Sequence, residues 1–296
     1  MSELAARVGR VGLWCNAPVF SPVEIVRAGI AAVEELGFRA LWFPESVGGR
    51  ESLTTAAFIL SESSNLVACT GILSVYARDP MATRNGARTL ADAHPGRFVL
   101  GLGVSHAPSV GARGHDYGRP VPTMRAYLDA MEGAAYRPPE PEPVPTLLAA
   151  LGPLMLKLAA ERTDGAHPYF VPVEHTAFAR KRLGPDRLLA PEVAVVIASD
   201  RALAREAAQG YLDTYLALEN YTNNLRRFGF EDEDLAGSGS DRVLDALVAW
   251  GDVEAICTRV GEHLTAGADH VCIQPLPAAD FQLEQLRELA PALLEL

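Results

Sequence analysis

Short apolar runs alternate with longer amphipathic stretches along most of the chain. Val11 to Trp14, Ala40 to Phe43, Leu66 to Val75, Phe98 to Val104, Thr146 to Ala150, Ala166 to Val171, Glu192 to Ile197 and Val271 to Gln274 are too short for typical helices and rich in apolar residues, which predicts buried strands. Phe98 to Val104 (FVLGLGV) is apolar on both faces, as in a parallel sheet covered by helices. Helix signatures fill the gaps. Ser21-Pro22-Val23-Glu24 predicts a capping box, and Val23, Val26, Ile30 and Val33 then recur at helical spacing as far as Gly37. Asp79 and Pro80 predict the N-cap and first turn of a helix running to about Ala93. Further helices are expected over about 53–61 and 123–135, from Gly152-Pro153, from His175, from Ser199-Asp200 to about Leu218, over 241–250, from Val253 and from about Asp280.

Eight strands alternating with helices predict a (β/α)8 TIM barrel, α/β in class, as one domain over 1–296. The rhythm lapses only between Asn220 and Asp252, a segment of asparagines, acidic residues and a Gly-Ser turn, read as an insertion over the barrel mouth before the last βα unit. A doubly wound open sheet is the alternative. It is weakened because no G-x-G-x-x-G joins the first strand to the first helix. In a barrel, function lies where the strands end, which selects Trp14, Cys15 and Asn16, Glu45 and Ser46, Thr70 to Ser74, Val104 to His106, Ala149 to Leu154 and His167.

Composition narrows the partners. A formal net charge of −11 argues against nucleic acid and anionic membrane surfaces and leaves small molecules. The most apolar stretch, Leu147 to Ala160, is broken by Gly152, Pro153 and Lys157 and predicts no membrane span. Cys15, Cys69, Cys257 and Cys272 include no C-x-x-C pair, and the N-terminus carries no secretory core, so a cytoplasmic protein with free thiols is expected.

The candidate chemistry is thin at the level of single residues. No H-x-H follows the first strand, so a metal site is not expected, and no G-x-S-x-G marks a nucleophile. Ala149-Ala150-Leu151-Gly152-Pro153 offers free backbone N–H groups at a helix start, which suits a phosphate or is simply a turn. Gly101 and Gly103 either admit bulky neighbours or let a ligand approach. Gly71 is out of place inside a strand, where glycine marks a bulge or a close ligand. His106 is either a solvated loop histidine or a functional one, and Glu45 either a helix cap or a site carboxylate.

Five ordered blocks change these odds: LWFPES (Leu41 to Ser46), TGILSVYARDP (Thr70 to Pro80), HPGRFVLGLGVSH (His94 to His106), VPTLLAALGPLMLKLAAERTDGAHPYF (Val144 to Phe170) and GADHVCIQPL (Gly267 to Leu276). The chain resembles the luciferase-like monooxygenase superfamily, and within it the branch that uses the deazaflavin coenzyme F-420. The resemblance implies a non-prolyl cis peptide at Gly71–Ile72 behind the cofactor ring. It implies cofactor contacts from Glu45, Thr70, Gly71, Ile72, Val104 and Ser105, and a phosphate-binding turn from Ala149, Ala150, Leu151, Gly152 and Leu154. His106 falls where some relatives place a proton-exchanging carboxylate. The departure to histidine leaves its role open as catalytic acid or base, with Glu45 and His167 as further catalytic candidates. Trp14, Asn16, Asn220, Tyr221 and Asn224 are candidate substrate-pocket residues. A homodimer and hydride transfer between coenzyme F-420 and a small carbonyl, enone or alcohol are the expectations. An FMN-dependent monooxygenase and a catalytically inactive cofactor binder are the alternatives.

Overall fold

The computed structural model describes residues 2–278 and 280–296. Its strands are β1 (Val11–Trp14), β2 (Ala40–Phe43), β3 (Val67–Thr70), β4 (Leu73–Ser74), β5 (Phe98–Gly103), β6 (Thr146–Leu148), β7 (Gly165–Ala166), β8 (Leu188–Leu189), β9 (Glu192–Ile197), β10 (Val248–Gly251) and β11 (Val271–Pro275). Every ladder among them is parallel, in the order β10-β9-β11-β1-β2-β3-β5-β6-β7-β8, with β4 on β5. The β8 end of that path runs on through the chain itself into β9, which pairs β11 and carries β10 on its other side. Ala190 N donates to Ala166 O, while Pro191 O accepts from Cys272 N, so the stretch from β8 to β9 pairs first with β7 and then with β11.

Alternation along the strands sorts side chains into two layers. Leu13, Leu41, Phe43, Ala68, Leu100, Leu102, Leu148, Val193 and Ile273 pack with helix residues such as Val26, Ile30, Ile59 and Leu90. Their strand neighbours Trp14, Trp42, Cys69, Val99, Leu147, Ala194 and Cys272 form a second cluster on the opposite face. Because the strands are buried on both faces, they needed the near-continuous apolar runs that the sequence shows.

Several boundaries differ from the sequence reading for local reasons. The expected third strand is split by a cis Gly71–Ile72 bond into β3 and β4. Ser21 builds no capping box. Its N–H instead closes the short helix Ala17–Phe20 onto Ala17 O, and the helix Val23–Glu35 starts after Pro22 without a side-chain cap. The expected sixth strand keeps only Gly165–Ala166, and Phe170 sits at φ 58°, outside strand geometry. Residues 248–251, expected to end a helix, form β10 beside β9. Asp79 does cap the helix Pro80–Ala93, accepting from Ala82 N at 2.9 Å.

Candidate active site

The break in the third strand is held from four sides. Gly71 N donates to Phe43 O at 2.8 Å, the Trp14 indole N–H donates to Gly71 O at 3.2 Å, and Glu45 N donates to Ile72 O at 3.1 Å. Thr70 Oγ1 donates to Gly101 O at 2.9 Å and accepts from Gly101 N at 2.8 Å. Neighbouring glycines make room for the bulge. A Cβ on Gly101 would lie 1.9 Å from Thr70 O, and one on Gly103 would lie 2.4 Å from Ile72 Cδ1. Gly101 and Gly103 are therefore explained by their neighbours, the first of the two readings that the sequence left open.

Glu45 fixes the far side of the same bulge. Its side chain is only 3% exposed; Oε2 accepts from Ser74 N at 2.8 Å, and Oε1 is paired with Arg78, which also pairs with Glu51. Both carboxylate oxygens are thus committed to protein donors, which makes Glu45 a positioning residue. Glu51, not Glu45, caps the following helix through Leu53 N and Thr54 N.

Beyond β5 the chain turns sharply: Ser105 adopts φ 58°, a conformation uncommon outside glycine, and His106 stands at the start of the helix Ala107–Ala112. The Tyr117 hydroxyl donates to Ser105 O at 3.2 Å. The His106 imidazole packs against the Tyr221 ring, centroids 5.5 Å apart. Burial lowers its pKa from the usual histidine range, and a hydrogen bond with the Asn220 side chain opposes that shift. His106 is thus mainly neutral near pH 7. Val104 and Ser105 lie half-buried beside it.

After β6, Ala149 N donates to Leu102 O at 2.8 Å, and Gly152 holds an extended N-cap conformation before the helix Pro153–Arg162. The backbone N–H groups of Leu151, Gly152, Leu154 and Met155 donate to no protein acceptor among the described residues. Ala150 is buried, while Leu154 is 67% exposed.

Two other sequence candidates, His167 and Trp14, lie behind the bulge. His167 is 1% exposed, stacked on Trp42 at 4.6 Å between centroids, with Nδ1 donating to Ala190 O at 2.7 Å. Burial pushes its pKa down to about 4, and Nε2 faces the Gly71 backbone with no hydrogen-bond partner among the described residues. It is a wall behind the bulge. Trp14, 2% exposed, likewise supports Gly71 from within, and Asn16 begins the helix Ala17–Phe20 without a capping bond. Tyr221 and Asn224 are buried, whereas Asn220 is exposed.

Sequence reasoning missed the aromatic cluster around Tyr221. Tyr169, Phe170 and Tyr215 pack against it, with centroids 5.3 Å apart for Tyr215–Tyr221 and 5.5 Å for Phe170–Tyr221, and Tyr211 packs on all three from behind. Tyr211 and Tyr215 at i, i+4 on one helix was the available signal. Arg78 was missed as well, though it stands one residue before the Asp79 cap.

The profile of the luciferase-like monooxygenase family matches residues 8–270. The chain belongs to this family. A Mycobacterium tuberculosis protein described as a coenzyme F-420-dependent oxidoreductase is 26% identical over 97% of this luciferase-like chain and 99% of its own length. The 5,10-methylenetetrahydromethanopterin reductase of Methanolobus tindarius is 24% identical over 80% of this chain and 86% of its own. Among solved structures, an F-420-dependent secondary alcohol dehydrogenase bearing an F-420–acetone adduct superposes with a TM-score of 0.75 at 15% identity, covering 96% of this chain and 98% of that one. The oxygenating constituent of 3,6-diketocamphane monooxygenase from Pseudomonas putida, in complex with FMN, gives a TM-score of 0.63 at 14% identity over 96% and 98%. At such identities the solved structures establish the shared luciferase-like fold.

Proposed function

We propose that the protein is an oxidoreductase that transfers hydride between coenzyme F-420 and a small alcohol, carbonyl or enone, on a (β/α)8 barrel. In that barrel β3 with β4, and β8 with β9, each count as one stave, β10 belongs to the insertion and adds itself beside β9, residues 1–296 form one domain, and 220–252 are that insertion over the mouth. The observation that carries this reading is the alignment of three features along one rim. The bulge at Gly71–Ile72 offers a backbone wall for a planar ring, His106 stands at the end of the adjacent strand, and unpaired amides after β6 suit a phosphorylated tail. The 26% identical F-420-dependent relative, matched over almost its whole length, supports the cofactor assignment.

When bound, the deazaflavin supplies or accepts the hydride at C5. The residues of this chain do the rest. Thr70, Gly71 and Ile72 place one ring face, with Glu45 and Arg78 keeping the bulge rigid through Ser74. His106, mainly neutral, takes the hydroxyl proton during alcohol oxidation, and its protonated form gives one to oxygen in carbonyl reduction. Tyr221 and the aromatics around it exclude water from the reacting carbon. The cofactor is tested by titrating purified protein with F-420 and with FMN, followed by turnover with a panel of alcohols, ketones and enones. Oxygen-dependent product formed only with reduced FMN would replace this reading with the monooxygenase one, and tight binding without turnover would favour an inactive binder.

A cytoplasmic homodimer is part of the same reading. It is supported by exposed apolar Phe20, Ile25, Val47 and Met81, and no helix among the described residues is long and apolar enough to cross a membrane. Light scattering giving one chain mass in solution would remove the dimer.

A further inference from the structure

The segment 219–251 brings one more polar face to the mouth. Arg227 ends the helix Glu219–Arg226 at φ −64°, ψ −22°, so helical spacing continues through it. Arg227 is exposed and its guanidinium enters no ion pair and no hydrogen bond among the described residues, whereas the neighbouring Arg226 is held by Asp232 and Asn223. Yet Nη1 and Nη2 lie only 3.4 and 3.9 Å from where a Gly152 Cβ would stand, over the start of the helix Pro153–Arg162. A cation at that end of a helix has the wrong sign for the dipole and for the unpaired N–H groups beneath it. An anion between them reverses both interactions.

Asn224, one turn earlier on the same face, supplies the second observation. It is fully buried, and neither its amide nitrogen nor its oxygen has a hydrogen-bond partner among the described residues. A buried amide with no protein partner at either end is costly unless another group meets it. One further turn back, Tyr221 packs on His106, so three-residue steps from Tyr221 through Asn224 to Arg227 carry the helix about 9 Å from the proton-exchanging histidine toward the Gly152 turn. The turn itself is braced from behind by His175 Nε2 donating to Leu151 O at 2.9 Å.

We infer that Arg227 and Asn224 bind the phosphorylated tail of the cofactor, Arg227 closing over the phosphate opposite the Gly152 amides. This rests on the reading of that turn as the tail site under Proposed function. The specificity consequence is a preference for tail-bearing over tail-less cofactors that belongs to the insertion and not to the barrel. It requires no contact with the reacting carbon.

The test uses ligand pairs that differ in the tail: F-420 against the tail-less deazaflavin nucleoside, and FMN against riboflavin, each titrated by fluorescence into the purified full chain. The wild type is expected to favour the tail-bearing member of a pair. Arg227→Ala should cut that preference by about tenfold or more while leaving tail-less affinity within about twofold, with Arg227→Lys in between. Asn224→Leu should shift the preference in the same direction while the melting temperature of the free protein holds or rises, since an unpaired buried amide is removed. A wild-type preference that Arg227→Ala leaves intact overturns this inference and spares the turn. No preference in the wild type removes the turn reading and this inference together, and a sharp fall in melting temperature for Asn224→Leu makes Asn224 structural.

Discussion

At the scale of single residues, the site depends on groups whose surroundings decide their chemistry. His106 has a folded pKa below the ordinary histidine value because burial disfavours its charged form. In the alcohol-oxidising direction, where the neutral ring must accept a proton, kcat/KM should fall as pH drops through a pKa below 6.5. In the reducing direction the dependence inverts. His106→Ala should lower kcat by about 10²–10⁴ and flatten that limb, and a pH–rate profile unchanged by the substitution would remove the histidine from proton exchange. Gly101 makes the complementary point about space. Gly101→Ala drives a Cβ into the Thr70 carbonyl and should cost on the order of 3 kcal/mol, measured as a loss of denaturant stability. Near-wild-type stability would mean that the bulge tolerates a shift of its own backbone.

At the scale of elements, the bulge and its carboxylate anchor act as a unit. Glu45→Ala leaves Arg78 with Glu51 alone and strips Ser74 N of its acceptor, so it should cost roughly 2 kcal/mol. It should also weaken cofactor binding without moving the pH profile assigned to His106, and full cofactor affinity in Glu45→Ala would separate the carboxylate from the site. Much of this layer was legible beforehand. Asp79-Pro80 predicted its helix start because side-chain oxygen and missing donor are local chemistry. Gly71 stood out because a strand has no local use for it. Ser21 misled for the converse reason: a capping box is a pattern of residue types, and the short helix before it claimed Ser21 as a C-terminal stop. β10 was hidden because Val248 to Gly251 follows a helix without a break in sequence, and only pairing with β9, more than fifty positions earlier, makes it a strand. His106, Ser105 and the Gly152 turn were locatable as strand ends. The Arg78–Glu45 pair and the tyrosines around Tyr221 were not, since their partners come together only through tertiary contact.

At the scale of the whole molecule, buried titratable groups set its pH range. Burial lowers the pKa of His167, His175 and His270 to about 4 and of His263 to about 3, while it raises Glu192 to about 8. For each histidine the folded state binds fewer protons than the unfolded chain between its folded pKa and about 6.5, so stability is present above that window and lost as pH falls through it. Glu192 works in the opposite sense, contributing stability below about 4.5 and losing it as pH rises through about 8. Four histidines against one carboxyl give a melting temperature that should drop steeply from pH 6.5 to 4, and a flat melting temperature over that range would contradict neutral burial of the imidazoles.

The central claim, that this barrel rim holds coenzyme F-420 for hydride transfer, is tested most directly by following the deazaflavin absorbance of F-420 mixed with the purified protein and a panel of small alcohols. The account expects saturable binding and alcohol-dependent bleaching of the oxidised chromophore, slowed by His106→Ala. Absence of both F-420 binding and bleaching, with FMN bound tightly by the same preparation, would contradict it.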